Sequence, residues 1–109
     1  MFKVFDSAAA LERCDEDKEL LKELIDMFFE DYEKSLLGLS NMVTQKNFTG
    51  IERGSHAFKS ALGNLGAMKA FEAARKLEHA GKTQTVDIIE NLFIEFKNDV
   101  EEFRIEAMK

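Results

Sequence analysis

The chain has 109 residues, 45 % of them apolar and 33 % charged, with a net charge of −6. That length and balance fit one globular domain spanning residues 1–109 with a core of its own, and they exclude a disordered chain. The acidic charge repels phosphate backbones, which argues against nucleic acid as a partner, and no apolar run approaches the roughly 18 residues that a membrane span needs.

The chain opens on "MFKVFDSAAALERC", which lacks a long apolar segment, so no signal peptide is expected. Residues 6–13 read as a short helix capped by Asp6 or Ser7, with Ala8 and Leu11 inward. Cys14 is the single cysteine. It forms no internal disulfide, suits a reducing cytoplasm, and reads as an inert thiol. With two histidines beside it there are too few soft ligands for zinc. No metal or cofactor is expected.

Asp15 is expected to open a long helix whose first turn holds Glu16 and Asp17, where the helix dipole favours acids. Leu21, Leu24, Ile25, Phe28, Tyr32, Leu36 and Leu39 recur at steps of three and four, which defines one buried face running to about Gln45. Leu20, Met27 and Phe29 fall off that face. They pack under the N-terminal segment or form an exposed patch, and packing is the preferred reading. Thr49 is a plausible cap for a third helix, with Ile51, Phe58, Ala61 and Leu62 inward and Asn64 and Gly66 at its end. A fourth helix is expected from about Ala67 to Ala80, with Gly81 closing it. A last one follows Thr83 or Thr85, striped by Ile89, Leu92, Phe93, Phe96, Val100 and Phe103. There is no proline and no sustained alternation of period two. The fold class is therefore all-α: an antiparallel four-helix bundle, core about 15–105, with a short extra helix at its N-terminus.

The third helix has one unusual face. On a wheel of about 100° per residue Phe58 lies roughly opposite His56, so burying Phe58 turns His56 outward. Beside His56 lie Glu52, Arg53, Lys59, Ser60 and Gly63. Glycine in a helix costs up to about 1 kcal/mol relative to alanine, a cost explained by close approach of another surface or by a fraying last turn. No acid occurs between Arg53 and Phe71, whereas Arg53, Lys59 and Lys69 do, so the outward histidine sits in a locally basic stretch suited to an anionic ligand or acidic partner. A neutral imidazole has one nucleophilic nitrogen, and Lys59, one turn away, can stabilise phosphoryl oxygens as a point charge. His79, near the expected end of the fourth helix, reads as a helix-end residue.

"HAFKSALGNLGA", from His56 to Ala67, resembles the signature of histidine phosphotransfer (HPt) domains: a His, a Lys three residues on, small residues in the next turn, and Gly-Ala closing the helix. "KLEHAGK", Lys76 to Lys82, resembles the end of the next family helix. Ser60 departs from the pattern, since many members carry glycine there. The resemblance covers about residues 15–105. It implies a four-helix bundle whose exposed His56 takes a phosphoryl group from a receiver aspartate or a sensor kinase and passes it to a response regulator, with Lys59 stabilising it and Glu52, Arg53, Ser60 and Gly63 in the docking face. Its implied partners are response-regulator receiver domains and hybrid sensor histidine kinases. Mg²⁺ and most of the catalytic machinery would belong to the receiver. The chain itself would be a phosphoryl carrier without kinase activity, cytoplasmic and monomeric. A non-catalytic helical adaptor, with His56 incidental, is the competing reading, and a labile phosphate on His56 separates the two. The phosphoacceptor region of a sensor kinase fits less well, because an acid, an arginine and then a proline usually follow its histidine.

Overall fold

The computed structural model describes residues 2–109. Its five helices are α1 (Ser7–Arg13), α2 (Lys18–Thr44), α3 (Phe48–Asn64), α4 (Met68–Thr83) and α5 (Val86–Ala107). The all-α bundle with a short N-terminal helix is as expected. α3 packs along α4, α4 along α5, and α2 closes the bundle against α3 and α5.

One turn design connects all of these helices. After each of the first four, one residue takes the left-handed conformation: Asp15, Lys46, Gly66 and Gln84. The next amide then reaches back to a carbonyl of the last helical turn: Glu16 to Leu11 (2.7 Å), Asn47 to Met42 (2.9 Å), Ala67 to Leu62 (3.0 Å) and Thr85 to Ala80 (3.0 Å). This bond pattern ends a helix and satisfies carbonyls that would otherwise be orphaned. Asn47, Ala67 and Thr85 are at the same time the N-caps of the helices that follow. Turns this short reverse the chain and place consecutive helices side by side.

The turns correct several boundaries. Asp15 and Glu16 are left-handed turn residues, and α2 starts after Asp17, whose side chain accepts from the Leu20 amide at 3.1 Å. Asn47, rather than Thr49, caps α3, accepting from the Gly50 amide at 3.0 Å. In α1 the buried residue is Ala10, while Ala8 faces solvent. Gly81 does not end α4; it is buried within the helix, and Gln84 makes the turn. The reason is the neighbouring helix. A Cβ on Gly81 would lie 2.9 Å from the Glu52 amide nitrogen and 3.0 Å from Ile51 Cγ2, so α3 and α4 touch backbone to side there.

The core is continuous from α2 to α5. Phe58 is stacked about by Tyr32 (5.9 Å between ring centroids), Phe96 (5.1 Å) and Phe28 (6.2 Å). Ile51, Ser55, Phe58 and Leu62 form the buried side of α3 and fix its rotation. The N-terminal segment is stitched to the α3–α4 turn by the Asp6 amide on the Gly66 carbonyl (2.7 Å) and the Lys69 amide on the Lys3 carbonyl (2.8 Å). Phe29 packs on Phe103 and lies under the Arg104 guanidinium, 4.3 Å from it, as the packing reading required. Leu20 and Met27, by contrast, stand 40 % and 60 % exposed, and Leu24 of the expected buried stripe is 39 % exposed. The N-terminal segment, with Phe5 on Phe103, covers a different side of the bundle.

Gly81 gives a test of the helix crossing. Gly81→Ala improves helix propensity by up to about 1 kcal/mol, yet its methyl meets the backbone of α3, which cannot swing aside. We expect a net loss of about 1–3 kcal/mol in urea unfolding, the range for overpacking a filled site. A gain in stability would contradict the close crossing.

Candidate functional site

With α3 held by its buried side, His56 emerges between two neighbours. Arg53 and Ala57 border the gap toward α2. Glu52, Lys59 and Gly63 border the seam with α4, where Gly81 lets the helices approach closely. The His56 side chain is 59 % exposed, as the wheel required.

The α4 seam supplies a group that the chain order does not reveal. Glu78, three residues before Gly81, reaches across to α3. Its Oε2 is 2.7 Å from His56 Nδ1 and its Oε1 is 2.6 Å from Lys59 Nζ. One carboxylate thus bridges the two residues of interest. Burial pushes the Glu78 carboxyl pKa up, but hydrogen bonds from Lys59 and His56, with the charge of both, outweigh this and hold it below the ordinary value. A carboxylate on Nδ1 favours the tautomer with hydrogen at that nitrogen, because Nδ1–H is then the donor. The other ring nitrogen, Nε2, is left with its lone pair.

Lys59 is therefore not the solvent-facing, unengaged ammonium expected from the helix wheel. Its side chain is only 23 % exposed and its charge is matched by Glu78. Lys69 is also removed from the basic stretch: it pairs with Glu102 at 2.6 Å and Asp99 at 3.8 Å on α5. Of the three cations in that stretch, Arg53 is the one without an ion pair among the described residues. The histidine face is consequently near neutral, with a single open positive charge. Ser60 is exposed one turn beyond His56, and Glu52 is half-buried one turn before it.

Gly63 has an explanation within the fold. A Cβ there would lie 3.0 Å from Phe71 Cδ2 and 3.2 Å from Cε2. The surface that approaches it is the ring of Phe71, from the chain's own α4, and no outside partner is needed to account for the glycine. His79 is exposed and lies more than a turn before the end of α4, so it does not occupy the helix-end position expected of it. No helix among the described residues is long and apolar enough to cross a membrane.

A family model described as Hpt domain matches residues 23–106, most of the chain. No curated protein and no solved structure matches it.

Two tests follow from the geometry. Gly63→Leu must displace Phe71 and is expected to cost about 1–3 kcal/mol in urea unfolding. Adding Phe71→Ala should recover part of that loss, and a Gly63→Leu protein as stable as wild type would contradict the contact. The second concerns Glu78. Its folded-state pKa lies below its unfolded value, so its contribution to stability is present above the unfolded pKa and disappears as pH falls through the folded one. Wild type should exceed Glu78→Gln in stability at neutral pH, and the gap should close on acidification below about pH 4. Unfolding curves across that range would show it; a gap that widens toward acid would contradict the bridge.

Proposed function

The chain belongs to the Hpt domain family, whose members carry phosphoryl groups in phosphorelays, and on that premise we propose that His56 is its phosphoacceptor. The observation that carries this reading is the tie between His56 Nδ1 and Glu78 on a side chain otherwise open to solvent. Of the two nitrogens, Nε2 is the nucleophile.

The reaction follows from those roles. A receiver domain presents an aspartyl phosphate to His56. Nε2 attacks phosphorus, the new N–P bond forms as the P–O bond to the aspartate breaks, and the carboxylate leaves with the bonding pair. The ring gains positive charge as it is phosphorylated, and the Glu78 carboxylate beside Nδ1–H stabilises that charge. Lys59 is within one helical turn and turns from Glu78 toward the phosphoryl oxygens as they arrive. Transfer to the next receiver is the same step reversed. Phosphoryl transfer depends chiefly on positioning and charge stabilisation, and the receiver's Mg²⁺ site supplies the remainder. Arg53 and Ser60 lie on the approach to His56, and Glu52 borders it. The module exchanges phosphoryl groups with receiver domains or a hybrid sensor kinase and does not make them from nucleotide.

Incubation with a panel of phosphorylated receiver domains tests the assignment. Wild type should take up phosphate that is labile to acid and stable to alkali, mapping to His56. His56→Gln should take up none, and His79→Gln should behave as wild type. Lys59→Ala should slow transfer by roughly ten- to a thousand-fold, the range for removing one electrostatic stabiliser. Undiminished uptake by His56→Gln would refute the assignment, and wild-type rates in Lys59→Ala would leave the lysine without a role.

A further inference from the structure

A furrow of about 740 Å³ runs between α2 and α3 and ends beside His56, where Arg53 and Ala57 line it. Its floor is Phe28, Tyr32, Leu39 and Phe58. Its walls are low. A Cβ on Gly38 of α2 would meet nothing within 4 Å, and on the α3 side stand Gly54 and Ala57. Met27 is on its rim at 60 % exposure, and Leu24 and Leu20, at 39 % and 40 %, continue the line one and two turns back along α2. Three large apolar side chains in a row, joined to an apolar furrow, form a surface suited to a partner.

Charge selects among the possible occupants. Glu23, Glu30 and Asp31 flank the apolar line, all exposed and without ion pairs among the described residues. A second copy of this chain would bring the same acids and a net charge of −6 against them. An anionic lipid surface is repelled for the same reason. The complementary occupant is apolar along one side and basic along the edge that meets α2. Arg53 on the opposite wall, next to His56, calls for an acidic group at that end.

We propose that the Leu20–Leu24–Met27 line and the furrow seat a basic-edged amphipathic helix of the receiver, and that Glu23 and Asp31 select which receivers this module serves. The occupant is a receiver only on the phosphorelay reading above, on which the assignment rests. The pair of opposite charges across the furrow also fixes the direction in which that helix lies, and so brings the receiver's acidic pocket over His56.

The experiment uses a receiver domain to which wild type transfers phosphate. Transfer rate is measured against receiver concentration, at low and high salt, for wild type, Met27→Ser and the double variant Glu23→Lys/Asp31→Lys. Binding of the same unphosphorylated receiver to these surfaces in a His56→Gln background is read by fluorescence anisotropy. The substituted side chains are exposed, and circular dichroism checks that the bundle is intact. The charge reversal should raise KM and Kd about ten-fold or more at low salt, with turnover at saturation unchanged, and high salt should shrink the difference. Met27→Ser should weaken both constants at every salt concentration. Unchanged constants in both variants, with normal wild-type transfer, overturn the docking assignment and leave the phosphorelay reading intact. A Met27→Ser effect without a charge-reversal effect overturns the selection by acids. Failure of wild type to exchange phosphate with any receiver removes both readings.

Discussion

The outer face of α3 is organised by one carboxylate delivered from the neighbouring helix. Gly81 allows α4 to cross α3 so closely that a methyl group would not fit, and Glu78 sits one turn away on the same side of α4. From there it holds His56 at 2.7 Å and Lys59 at 2.6 Å. The two contacts do different things. The first selects which imidazole nitrogen is free, and the second neutralises and partly shelters an ammonium that would otherwise extend into water. Partly exposed ion pairs contribute little to stability, so the weight of this bridge lies in orientation.

On the proposed reading, such an arrangement suits a carrier better than a trap. A phosphoryl group on Nε2 is attracted by Lys59 and repelled by Glu78. The lysine must divide its interactions between the two anions, which keeps the phosphoryl group from being held too tightly to leave. The carboxylate meanwhile offsets the charge on the ring. Arg53, unpaired on the other side of His56, is the remaining positive charge facing a partner. The apolar line and acids of α2 provide affinity away from the reacting atoms, so recognition and chemistry occupy adjacent but separate surfaces.

Much of the fold was legible because it rests on local pattern. Steps of three and four located every helix, and the opposition of Phe58 and His56 gave the direction of the histidine without any structure. What escaped the sequence was set by contacts between distant segments. Gly81 has the form of a helix stop, and only the α3 backbone against it shows why a glycine lies mid-helix. Gly63 raised the question of what approaches it, and the answer, Phe71, is on the next helix. The absence of acids between Arg53 and Phe71 suggested a basic patch, but Glu78 and the α5 acids Asp99 and Glu102 neutralise Lys59 and Lys69 from other helices. Turn residues misled for a different reason. Asp15, Lys46 and Gln84 adopt a left-handed backbone that glycine takes more readily, so composition gave no sign of three of the four turns.

The central claim is that Glu78 fixes the tautomer of His56, and nitrogen-15 NMR of the imidazole measures this directly. In wild type at a pH where the ring is neutral, Nδ1 should show the shift of a protonated nitrogen and Nε2 that of an unprotonated one. Glu78→Ala should move the ring toward the mixture of tautomers found in free histidine. A wild-type ring with its proton on Nε2, or one indifferent to the loss of Glu78, would contradict the account.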